Sequence, residues 1–331
     1  MDKSINKNEV VFYKSINYSF TPCFLENSFT TFKSINNIFY LIFSNKNKSI
    51  ISYDIIDNKK INEIKNAHKM YITNFRYYYD KINKRDLILS VSAYNNNIKL
   101  WNINNLECLL DLKNINKTGF LNSASFLNED NKIYLITSNF YYNSSEHIKI
   151  FNLNGDLIKR INDSTEKIFF IDSYFDKNNS KNYILTGNFG YVKSYDYIEN
   201  KIYHKYEDNN KRLHYCLIIK YNENEDIIKI IESCVDKYIR IWNFHSAELL
   251  DKIEVSNRGL NSIILNNNNH LLVGCDDKTI KILELKTKII KDLFKLNNIC
   301  ITIKFINSPF GDILLFQGLE NNPIELYIIN L

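Results

Sequence analysis

The sequence predicts an all-β fold in which seven sheets of four strands close into a ring. Three observations carry this: a strand-turn-strand unit recurs along the chain, its spacing is regular, and the two chain ends complement each other. The clearest copy runs from Cys234 to Asn243, where two apolar runs flank a turn led by Asp236 and the second run alternates in polarity. That is the pattern of a hairpin. Aligning on Ile239, Arg240, Ile241 and Trp242 recovers copies that place Tyr53, Trp101, Phe151, Tyr195, Trp242, Leu283 and Tyr327 at one equivalent position. The steps between them are 48, 50, 44, 47, 41 and 44 residues, the length of one four-stranded repeat.

Length alone, 331 residues, would suggest two domains, but repeat folds grow by adding units, so one closed domain is expected. Hydrophobic residues make up 45% of the chain, enough for a large core, and eight glycines with three prolines exclude collagen-like or linker-like classes. Net charge is +5 from 42 basic and 37 acidic residues spread along the chain, too dilute to mark a nucleic-acid or membrane surface. No apolar run is long enough to span a membrane, and Met1 to Val10 lacks the apolar core of a signal peptide. An intracellular protein is expected, cytoplasmic in the first place and nuclear in the second. Cys23, Cys108, Cys216, Cys234, Cys275 and Cys300 show no Cys-x-x-Cys spacing and read as free thiols.

A period of this length with an aromatic near the end of the third strand resembles the WD-repeat β-propeller family, in degenerate form. The best copies are the second, fifth and sixth repeats. No Trp-Asp or Gly-His pair occurs: Trp101 and Trp242 precede Asn102 and Asn243, whereas Tyr53 and Tyr195 keep the acid as Asp54 and Asp196. The turn acid is present as Asp236 and Asp277 and replaced by Asn47, Asn95 and Asn321, which keeps the turn chemistry because Asn also bonds a backbone turn and tolerates left-handed φ. His68 falls where the family places the His of a buried network with a strand-b Ser or Thr, the turn Asp and the Trp. The matching positions are read as Val91, Asn95 and Trp101, so the network is expected to be broken at Val91. Family members that dock on a ubiquitin-ligase adaptor use a Trp-Asp-x-Arg box, which neither Trp101 nor Trp242 heads.

The resemblance implies a seven-bladed WD-repeat-like β-propeller closed by an N-terminal strand, with four strands a to d per blade. A β-prone segment at about 9–17 is expected to complete blade 7. Blade 1 is expected at about 28–67, blade 2 at 68–115, blade 3 at 116–163 and blade 4 at 164–208. Blade 5 follows at about 209–255, blade 6 at 256–296 and blade 7 at 297–331. Blade 7 supplies only a, b and c before the chain ends, so the N-terminal segment is the natural strand d. That arrangement leaves no ladder open.

No Gly-rich phosphate loop, His-Glu-x-x-His or Gly-x-Ser-x-Gly motif is present, so neither catalysis nor a cofactor or metal is expected. The function expected is a non-catalytic scaffold for protein partners. Two alternatives stand beside it: a subunit of a nucleic-acid or ribonucleoprotein complex, needing a continuous basic face, and an enzyme with a channel-mouth site. In the propeller, d-to-a loops and b-to-c turns share the top face, where family members hold peptides. Aromatics at these places are Tyr71, Tyr94, Phe120, Tyr141, Tyr142, Phe169, Phe189 and Tyr215, all in blades 2 to 5. They are the candidate partner-binding residues. The other reading is that they pack the loops against one another.

Overall fold

The computed structural model describes residues 10–16, 27–115, 120–139, 148–161, 167–208, 214–222, 227–265, 269–309, 311–318 and 323–329. Its described strands form seven antiparallel four-stranded sheets, six of them meanders in chain order. The protein is a seven-bladed β-propeller with no α-helix among the described residues.

Seven apolar clusters hold the ring together, one at each junction between neighbouring blades. The repeated strand-c position explains how. Trp101 packs with Ile42 and Ile50 of blade 1, Tyr195 with Ile136 and Ile150 of blade 3, and Trp242 with Tyr183 and Leu185 of blade 4. Each of these aromatics therefore faces the preceding blade, and both faces of a sheet are covered. That is why strand b reads as an unbroken apolar run, as in Leu87, Ile88 and Leu89, all of them buried. Alternate residues go to different junctions: Ile88 joins the cluster with blade 1, Leu87 and Leu89 the cluster with blade 3.

The repeat extends to a local distortion. In blades 1 to 5 the register between strands c and d shifts immediately before the aligned aromatic, at Tyr53, Trp101, Phe151, Tyr195 and Trp242. The extra residue lies in strand d and increases the local twist of the outer edge. Tight turns use Asn where Gly is usual: Asn37, Asn58, Asn66, Asn96, Asn114 and Asn200 all have φ between 47° and 61°. This accounts for a turn-rich fold with few glycines, because Asn enters the left-handed region at little cost.

The first strand, Val10–Ile16, pairs antiparallel with strand c of blade 7, Ile324–Ile329, so the seventh sheet joins both ends of the chain. Ile16 enters the cluster that contains Phe29 and Leu41 of blade 1 and Ile313 and Leu315 of blade 7. On the outer face the Phe12 ring stands edge-on to Tyr327, with centroids 5.3 Å apart. Deleting residues 1–17 should uncover the ladder of strand Ile324–Ile329 and the apolar surface under Ile16. The truncated protein should aggregate and lose its cooperative melt. Size-exclusion chromatography and thermal unfolding check this; a soluble monomer with unchanged Tm would contradict it.

Candidate functional site

The top face is recognisable by hydrogen bonds between d-to-a loops and b-to-c turns. Thr73 N donates to Val91 O, Phe169 N to Gly187 O and Asp276 N to Gly259 O. In blade 2 the turn is a single 3-10 turn, Ala93–Asn95, ended by Asn96 in a left-handed conformation. The Asn96 side chain then accepts from Leu121 N at 2.7 Å, which ties the turn to the start of blade 3.

Beneath this turn the buried network expected to be broken is formed. His68 Nε2 lies 2.7 Å from Ser90 Oγ, and Trp101 Nε1 donates to the same hydroxyl at 2.9 Å. The assignment of Val91 to this place is corrected to Ser90. The cause is strand alternation: Ser90, opposite Phe75, faces the His68 side, while Val91 faces the cluster shared with blade 3. One step along a strand changes face. The polar group alongside is Asn97 rather than Asn95; its amide donates to Asp111 Oδ1 and to Leu112 O. Burial, with the Lys99 ammonium adding to it, outweighs the Asn97 side-chain hydrogen bond and pushes the His68 imidazole down to about 4. His68 is therefore neutral at pH 7.

Of the candidate aromatics, the structure brings two together. Tyr94 and Phe120 are 47% and 42% exposed, and their rings meet edge to face at 5.6 Å across the junction of blades 2 and 3. Phe189, at the tip of the short b-to-c turn of blade 4, is 46% exposed. Tyr71 and Phe169 are half-buried, and the Lys48 ammonium lies 5.9 Å over the Tyr71 ring. Tyr141 and Tyr142 lie outside the described residues, as does the side chain of Tyr215, whose backbone pairs with Ser233. The matching place in blade 6 is tight: a Cβ on Gly259 would stand 3.1 Å from Val235 O and would push the Asp276 carboxylate aside.

Two groups of charged residues were not picked out from the sequence as sites. In blade 5, Arg240 is fully buried and pairs with Asp208 at 2.7 Å and with Asp236, while Glu232 stands 3.8 Å away. Burial opposes charge on Asp236, yet the Arg240 guanidinium holds its carboxyl below the usual range. Asp208 also receives Lys252 at 2.9 Å. The cluster's charges face one another and present little charge outward. The second group surrounds His68, where Lys48, Lys69, Lys99 and Lys113 line one cavity with Asp111. Sequence distance hides it, since these residues come from two blades and four separate segments.

In the channel, Arg76 of strand a in blade 2 reaches across to blade 4, bonding Ile171 O at 3.3 Å and standing 3.7 Å from Asp172. Asp172 in turn accepts from Ser125 of blade 3 at 2.7 Å. These groups pair with one another and brace the inner strands.

No family model matches the sequence, and no curated protein matches it. Among solved structures the chain is similar to BBS1N, crystallised in complex with ARL6DN and soaked with mercury. The likeness spans 98% of both chains with a TM-score of 0.72 at 9% identity. The likeness shows the fold. Solved chains that match number 1549, so the shape by itself selects no function.

Two results should follow from the His68 network. Ser90→Ala strands both the imidazole and the indole N–H, so it should lower unfolding free energy by about 2–3 kcal/mol. His68 has an ordinary value of 6.5 when unfolded and about 4 when folded. The unfolded chain thus takes up the proton first, and the stability from a neutral buried imidazole is present above pH 6.5 and lost as pH falls toward 4. The stability difference between wild type and His68→Gln should hold steady at pH 7–8 and shrink below about 6.5. A pH-independent difference in denaturant unfolding would contradict a buried neutral His68.

Proposed function

We propose that this propeller is a non-catalytic scaffold that captures a protein partner on its top face, with Tyr94 and Phe120 as the central anchors. The observation that carries this reading is that two large aromatics remain 47% and 42% exposed above a junction whose central side chains, such as Leu89, Leu100 and Leu121, are buried. They touch each other, so ordering them costs little further entropy, and Asn96 ties the turn that carries Tyr94 to Leu121, next to Phe120. Paired, partly exposed aromatics on a rigid frame are what binding hot spots are made of. Phe189 extends the surface toward blade 4, and Tyr71, Phe169, Tyr141, Tyr142 and Tyr215 are assigned to its rim. The similar solved chain, BBS1N, was itself crystallised with a protein, ARL6DN, which fits a scaffold role for this shape. Free Cys108, Cys234, Cys275 and Cys300 suit a reducing compartment, so an intracellular setting, cytoplasmic or nuclear, belongs to the same proposal.

The test is quantitative affinity capture with wild type and the double variant Tyr94→Ala/Phe120→Ala. Both side chains are outside the junction clusters, so Tm should change by no more than about 2 °C. Partners retained by the wild type should fall at least tenfold with the variant. An unchanged set of partners, or binding and Tm lost together, would contradict the reading.

A further inference from the structure

We propose that the cavity between blades 1 and 2 on the top face is an oxyanion site, shaped to take a phosphate or carboxylate group carried by a peptide. The scaffold reading enters only in naming the carrier; the site itself stands on the geometry around His68.

The cavity has a volume of about 540 Å³, within the usual range for ligand sites. Its ionised lining is four lysines, Lys48, Lys69, Lys99 and Lys113, against one carboxylate, Asp111. That carboxylate is already committed: Lys99 and Lys113 stand 3.4 Å and 3.3 Å from it, and Asn97 donates to it at 2.7 Å. Lys48, from the b-to-c turn of blade 1, and Lys69, from the loop entering blade 2, have no carboxylate partner among the described residues. One acid facing four ammonium groups leaves a surplus of three positive charges in a single concavity.

A second observation points the same way. His68 is 4% exposed and contributes to the cavity wall, where its imidazole adds no negative charge. Asn97 beside it is spent within the protein, its amide protons on Asp111 and Leu112 O and its side chain also on His68. Asn66, Asn95 and Asn114 complete the lining, so the rest of the wall is polar and brings no further carboxylate. An oxyanion supplies acceptor oxygens to these amides and counter-charge to the lysines, as charge-assisted bonds of the stronger kind. The neighbouring Tyr94 directly precedes Asn95, which also lines the cavity. A peptide with an acidic or phosphorylated residue next to an apolar one would meet both features.

The experiment titrates inorganic phosphate with the full-length protein at about 0.15 M NaCl, where surface charge is screened beyond about 8 Å, and follows the phosphorus line width. Wild type should bind in the millimolar range. Lys48→Gln/Lys69→Gln should weaken binding at least tenfold, while Lys286→Gln/Lys288→Gln, the same charge change on exposed turns, should leave it within twofold. Asp111→Asn should tighten binding severalfold, an outcome that damage to the fold does not produce. Competition by acetate tells the two chemistries apart: equal displacement marks a carboxylate site, resistance to acetate a phosphate site. The proposal is overturned if wild type shows no binding, if both lysine pairs weaken it equally, or if Asp111→Asn does not tighten it. None of those results touches the Tyr94 and Phe120 variant, so the two readings fail separately.

Discussion

A blade of this ring cannot bury its sheet by itself; the interaction on which everything else rests is the packing of each sheet against its neighbours. The aligned strand-c side chain is pressed onto the preceding blade at each junction: Tyr53 near Phe29 and Leu315, Trp101 against Ile42, Trp242 against Tyr183. Such contacts are apolar and mutually dependent, so removing one cover exposes the next sheet to water. The seventh junction is the sensitive one because its sheet is assembled from both ends of the chain. Loop tips above this frame are free to differ, since they carry little of the packing.

Blades 2 and 5 solve one problem in opposite ways. Below the turn of blade 2 the strand-b position that faces the tryptophan is Ser90, and a neutral trio of His68, Ser90 and Trp101 forms. In blade 5 the equivalent position is Glu232, fully buried, with Arg240 in place of Lys99 and a set of carboxylates around it. There the Trp242 indole N–H has no acceptor among the described residues. A buried ionic group of this kind contributes little net stability but is costly to break at one partner. The same fold therefore tolerates a neutral network or a charged one beneath its turns, provided the apolar junctions are kept.

What could be read from the chain beforehand follows from the same physics. The spacing of Tyr53, Trp101, Phe151, Tyr195 and Trp242 is visible because the junctions require a large apolar group once per blade. Fold class and blade number come from that period. Ser90 was missed by one residue, because Leu87, Ile88 and Leu89 are apolar on both faces and no alternation ahead of it marks which side is which. The exposed Tyr94 and Phe120 were legible as loop aromatics, but their mutual contact depends on how far one turn leans toward the next blade. The lysine cavity was out of reach for a different reason: Lys48, Lys69, Lys99 and Lys113 converge only when blades 1 and 2 are docked.

On the proposed reading the top face of blades 1 to 4 is the working surface, and the bottom turns and outer strands are structure. The most direct measurement is hydrogen exchange by mass spectrometry on the protein alone and with its captured partner. Exchange should slow in the turn at Ala93–Asn95, around Phe120 and Leu121, and in the turn at Asn188 to Tyr191. It should be unchanged in the bottom turns at Asp57 and Asn58 and at Lys81 to Lys84. Protection confined to those bottom turns or to the outer strands, with the top turns unaffected, would contradict it.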